Sequence, residues 1–108
     1  EEIEYKLGMV SGNTVFFSWK TDGGTLYSDF HGDPYNDLDG TEVRYGERID
    51  VDSGRGSLTA PYNGYHGWYW RNDNDFPMQV TLEVDGYYTH MQELHRAPAQ
   101  AAGHPVDD

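Results

Sequence analysis

The chain contains no cysteine. That excludes disulfides, thiolate nucleophiles and cysteine-ligated zinc, and it leaves the redox compartment unread. No stretch approaches the roughly 20 apolar residues of a membrane span. No signal peptide is recognisable, and the chain opens on Glu1-Glu2. Any anchor or targeting segment is therefore expected outside these residues. Basic residues are scarce: seven Lys and Arg stand against 19 Asp and Glu, a net charge of -12. Such a field repels phosphate backbones and anionic lipid, so nucleic-acid binding is not expected. It favours cations and basic partners, although solubility alone also accounts for an acidic surface. Catalytic signatures are missing too. There is no Gly-x-Ser-x-Gly elbow, P-loop or His-Glu-x-x-His. Ser18 and Ser28 fall within expected strands without an evident base, so the chain is not expected to be an enzyme.

What is present is aromatic. Hydrophobic residues are only 36% of the chain, yet 15% of it is aromatic. A core built from a few large rings, each burying about 150–250 Å², offsets a low Leu and Ile count. At 108 residues the chain is one domain's worth.

The dominant period is two, the period of a strand. Ile3, Tyr5 and Leu7 alternate with Glu4 and Lys6. Val15, Phe17 and Trp19 alternate with Phe16, Ser18 and Lys20. Leu26, Ser28 and Phe30 alternate with Tyr27, Asp29 and His31, and His66, Trp68 and Trp70 with Tyr65, Tyr69 and Arg71. Val80, Leu82 and Val84 repeat the pattern; Val43 to Val51 and Leu58 to Ala60 follow it weakly. Turn signals separate the runs: Ser11-Gly12-Asn13, Asp22-Gly23-Gly24, Asn63-Gly64 and Asp85-Gly86. Short strands at this spacing, about eight of them, predict an antiparallel sandwich or barrel. Its expected core is Phe17, Trp19, Leu26, Phe30, Trp68, Trp70, Val80, Leu82 and Val84. Tyr87 to Met91 reads as a last strand, and Tyr88 to Arg96 as a segment able to finish in a helical turn. Gly32 to Thr41 reads as an acidic loop. The sandwich is expected over 1–94, with 95–108 a patternless flexible tail.

The run Gly56-Ser57-Leu58-Thr59-Ala60-Pro61, Gly64, His66 to Asn72 and then Val80-Thr81-Leu82-Glu83-Val84 resembles the C-terminal half of GOLD (Golgi dynamics) domains. These are jelly-roll-like β-sandwich interaction modules, so the likeness implies an antiparallel β-sandwich, jelly-roll or GOLD-like, and a protein partner. Asp29-Phe30-His31-Gly32-Asp33, together with Gly56 through His66-Gly67-Trp68-Tyr69-Trp70-Arg71-Asn72, resembles a family of bacterial transmembrane anchor proteins. That resemblance covers about residues 3 to 90. It implies a periplasmic domain and a membrane helix outside this chain, which would place the protein partner in the envelope; it implies no reaction. The loop after His31 is richer in Asp than the family pattern, and His95 and His104 have no counterpart in it.

Three candidate sites follow. His31 and His66 each precede a glycine, which leaves room for a ligand to approach the backbone. With Asp29 or Asp33 they would make an N,O site for Cu(II) or Zn(II). The competing reading makes both histidines structural. Alternation puts His66 on the face of Trp68 and Trp70, and His31 on the other. Second, the tryptophans with Tyr27, Tyr65 and Tyr69 could form a stacking platform for a sugar or a Pro-rich peptide. Strict alternation instead buries Trp68 and Trp70 and leaves Tyr65 and Tyr69 at the surface. Third, Asp33, Asn36, Asp37, Asp39 and Glu42 offer oxygen ligands for Ca²⁺, but Asn36 to Gly40 only half matches a calcium loop. Asn72 is expected to hydrogen-bond the backbone of its own turn. The leading expectation is a non-catalytic binding or assembly module, with metal binding second and carbohydrate binding third.

Overall fold

A computed structural model describes residues 1–35 and 42–96, and the backbone alone for 94–96. Eight strands follow one another: β1 (Glu2–Met9), β2 (Thr14–Thr21), β3 (Leu26–Pro34), β4 (Val43–Val51), β5 (Ser53–Thr59), β6 (Gly64–Arg71), β7 (Val80–Gly86) and β8 (His90–Arg96). They form a β-sandwich. One sheet has five strands in the order β4-β3-β6-β1-β8, the other three in the order β5-β2-β7. Every pairing between strands is antiparallel. Among the described residues there is no helix, hence none long and apolar enough to cross a membrane.

The alternation seen in the sequence selects the inner faces. In the register of β1 with β6, Ile3 stands opposite Trp70 and Tyr5 opposite Trp68, so these four side chains share the core face. β2 brings Val15 and Trp19 from the other sheet. Rings lock the layers together. Phe17 meets Phe30 at 5.1 Å and Trp68 at 5.0 Å, and Trp19 meets Trp70 at 5.3 Å. β5 carries glycine where β2 carries rings, Gly56 opposite Phe17 and Gly54 opposite Trp19. A Cβ on Gly54 would lie 2.5 Å from the Trp19 indole nitrogen. The Ser-Gly-Arg-Gly-Ser run is thus a strand whose inward positions are left empty for its neighbour's aromatics.

Trp19, Leu26, Trp68, Trp70 and Val80 are buried as expected, and Phe17, Phe30, Leu82 and Val84 pack against them half-buried. Ile3, Tyr5, Leu7, Met9, Val15, Ala60 and Met78 also belong to the core. Two expectations need correction. Gly32, Asp33 and Pro34 are not loop: β3 runs through them because β6 continues to pair, with Gly32 opposite His66 and Pro34 opposite Gly64. Nor does the segment from Tyr88 to Arg96 finish in a helical turn. Residues 90–96 pair with β1 from Gly8 opposite His90 to Glu2 opposite Arg96, and that ladder satisfies the backbone. The sandwich therefore reaches Arg96, past the expected boundary at 94. The remainder of the expected tail lies outside the described residues.

Candidate functional site

The outer face of the five-stranded sheet carries the charges. β1 lies in the interior of that sheet, between β6 and β8, and presents Glu4 and Lys6 outward. β3 presents Asp29, His31 and Asp33 on the same face, since His31 and Lys6 both stand opposite Gly67 of β6. Gly67 is the middle of the site. It has no side chain, and a Cβ there would fall 1.8 Å from the Tyr5 carbonyl oxygen. Across this gap Lys6 Nζ reaches His31 Nε2 at 2.7 Å and Asp33 Oδ2 at 2.9 Å. Glu4 Oε2 lies 3.5 Å from His31 Nε2 and 4.0 Å from Lys6 Nζ. Arg44 of β4 clamps Asp29 through two bonds, Nη2 to Oδ2 at 2.7 Å and Nε to Oδ1 at 3.1 Å. Tyr65 and Tyr69 flank Gly67, and Glu42 closes one side of a groove of about 500 Å³.

These ionisable groups are buried although they face away from the core. Glu4, Lys6, Asp29 and His31 are 7%, 5%, 6% and 5% exposed. An ammonium N–H donating to Nε2 needs a lone pair there, which assigns the ring proton of neutral His31 to Nδ1. Burial opposes charging of this imidazole. The Glu4 carboxylate, aided by Glu42 and Asp29, more than offsets burial and the Lys6 ammonium, and the pKa lies above its ordinary value. Protonating Nε2 would face two N–H groups at 2.7 Å, so charging His31 requires Lys6 to turn toward Asp33 and Glu4.

His66 occupies the opposite face. It stands opposite Gly32, one position on from His31, and is wholly buried. Its Nε2 lies 3.1 Å from the Tyr62 carbonyl, which can only accept, so Nε2 carries the proton. Nδ1 then accepts from the Tyr45 hydroxyl at 2.8 Å. Burial depresses its pKa, against the Tyr62 carbonyl bond, and keeps the ring neutral. Tyr45 is pushed up, chiefly by burial and by its neighbour Tyr62. The structure does not bring His31 and His66 into one ligand set; adjacent positions of neighbouring strands point them to opposite sides of the sheet.

The other sequence candidates divide. Asp29 joins His31, with Oδ1 3.6 Å from Nδ1, whereas Asp33 is reached only through Lys6. Trp68 and Trp70 are each 1% exposed and offer no stacking surface. Tyr27 and Tyr69 meet edge-on at 6.1 Å, and Arg71 lies over the Tyr27 ring at 4.7 Å. Tyr65 is held edge-on by Tyr35 and His90. Asn36, Asp37 and Asp39 of the calcium reading lie outside the described residues. Asn72 behaves as expected, bonding the Phe76 carbonyl and accepting from the Asn74 amide.

Sequence reasoning missed Glu4, Lys6 and Arg44, and placed Glu42 only in the calcium loop. Glu4 and Lys6 share a parity with each other, the one signal that they occupy one face. Compared with known proteins, the chain matches no family model, no curated protein and no solved structure.

Proposed function

We propose that this sandwich is a non-catalytic binding module, held by its parent protein on the periplasmic side of a bacterial inner membrane. On this reading it captures a basic segment of an envelope protein on the outer face of the five-stranded sheet. The observation that carries the reading is the burial of Glu4, Lys6, Asp29 and His31 on a face the core does not use. Burying charge opposes folding, and an apolar row there would be as stable or more so. Ionisable groups with shifted pKa values, as at His31, cluster at functional sites. The groove beside them holds more carboxylates than cations, and the net charge of -12 attracts a basic partner over distance. Tyr65 and Tyr69 add the aromatic contact area typical of protein interfaces. The envelope location rests on the likeness of Asp29–Asp33 and His66–Asn72 to the anchor-protein family.

Site-specific photo-crosslinking in cells making the parent protein tests this. A photoreactive residue at position 65 is expected to trap a discrete partner, and Asp33→Asn with Glu42→Gln is expected to abolish the product. The same probe at position 57, on the other sheet, should trap none. Products from position 57 alone would overturn the proposal. Protease treatment of spheroplasts checks location: digestion of the domain only after outer-membrane removal is expected.

A further inference from the structure

We infer that Asp29, His31 and Glu42 form a binding site for one divalent transition-metal ion, with zinc as the reference case. The site lies in the groove of the partner reading above but does not depend on that reading, since metal binding to the isolated chain needs no partner. One donor atom from each of the three residues lies within 4.8 Å of the other two. Tetrahedral zinc with bonds of about 2.0–2.1 Å sets donor atoms about 3.3 Å apart. Glu42 is exposed and lies just before β4, so rotation of its side chain can close the difference.

Carboxylates crowd together on many acidic proteins, and crowding alone would mean little. His31 supplies the independent observation. Its side chain is 6% exposed, and its buried Nδ1 has no hydrogen-bond partner. That atom faces Asp29 Oδ1 at 3.6 Å, too far for a hydrogen bond. An ion between them would satisfy Nδ1 and join it to Asp29. With the ion on Nδ1, the ring proton moves to Nε2, where the Glu4 carboxylate, Oε2 now 3.5 Å away, can close in to accept it. A carboxylate on the far nitrogen is the usual support of a metal-bound histidine. Lys6, displaced from Nε2, keeps Asp33 at 2.9 Å. Arg44 fixes Asp29 through its two bonds.

Charge and donor type agree. Glu4, Asp29, Asp33, Glu42 and Glu47 outnumber Lys6 and Arg44, which leaves net negative charge for a divalent ion to balance. One imidazole and two carboxylates suit zinc and its neighbours. Calcium needs six or more oxygens, which this set does not offer. The groove leaves a fourth position for water or a ligand.

The test is a titration of the 108-residue chain with zinc sulfate. Calorimetry and amide NMR are read together, in a background with His90, His95 and His104 changed to Gln. One equivalent of zinc is expected, with shifts centred on residues 29–31 and 42. Glu42→Gln, at an exposed position, should keep the apo spectrum and weaken binding by about tenfold or more. His31→Gln should remove the shifts. Absence of binding up to millimolar zinc would overturn the inference. So would affinity that Glu42→Gln leaves unchanged. If His31→Gln unfolds, Glu42→Gln alone decides.

Discussion

Lys6 and His31 meet at 2.7 Å across an intervening strand. They belong to β1 and β3, which do not pair with each other; β6 lies between them. The contact exists because β6 places Gly67 opposite both residues. No side chain fits at 67, because the backbone of β1 already occupies the space of its Cβ.

Gly67→Ala is therefore expected to be severe. The added methyl cannot be absorbed by a flexible neighbour, since it meets the Tyr5 carbonyl and Lys6 Cα. A loss of about 3 kcal/mol or more is expected, above the usual range for overpacking. Urea unfolding followed by tryptophan fluorescence measures it. A variant within about 0.5 kcal/mol of the parent, the range of an ordinary surface change, would contradict the close approach.

Lys6→Gln should cost about 3–5 kcal/mol, the penalty for removing one member of a buried charged group. Glu4 at 9% side-chain exposure would lose its adjacent ammonium, and His31 its donor. Asp33, 40% exposed, recovers water and contributes little. Lys6→Gln combined with Glu4→Gln is expected to be less unstable than Lys6→Gln alone. If the double variant is the weaker of the two in denaturant, the ion cluster is not the source of the loss.

His66 makes stability fall as the solution is acidified. Burial holds its folded pKa below the ordinary 6.5. The unfolded chain then binds the proton more readily, so stability rises with pH across that interval. Its contribution is complete above about pH 6.5 and is lost as pH falls through the folded value. Imidazole NMR resonances should show His66 titrating below 6.5, with Tyr45 and Tyr62 responding at the same step. A His66 midpoint at or above 6.5 would rule the arrangement out.

Trp70→Ala should cost about 3–5 kcal/mol, as for other large core aromatics. Trp70→Phe should cost clearly less, because the buried indole N–H has no hydrogen-bond partner to lose. Thermal unfolding of the two variants side by side distinguishes volume from hydrogen bonding. Equal losses would mean that the indole nitrogen is bonded after all.

Much of the fold was legible because period two is a local property. Trp68 and Trp70 inward, Tyr65 and Tyr69 outward, and Phe17 and Trp19 facing them follow from parity along single strands. Parity also separated His31 from His66 before any register was known. The strand content of residues 90–96 was less visible. Met91 and Leu94 fit a helical turn as well as a strand, and only the ladder to β1 decides between them.

The sequence by itself determined an acidic, thiol-free β-sandwich with an aromatic core, since composition and alternation act residue by residue. Tertiary structure alone decided the candidate site. Glu4 and Lys6 read as ordinary solvent-facing charges until strand order set β1 between β6 and β8. Glu4, the Asp29–His31 pair and Glu42 are distant in sequence and become neighbours only in the assembled sheet, where β3 and β1 align on Gly67 of β6. Which side chains meet across a sheet depends on register between strands, and register is a property of the assembled fold.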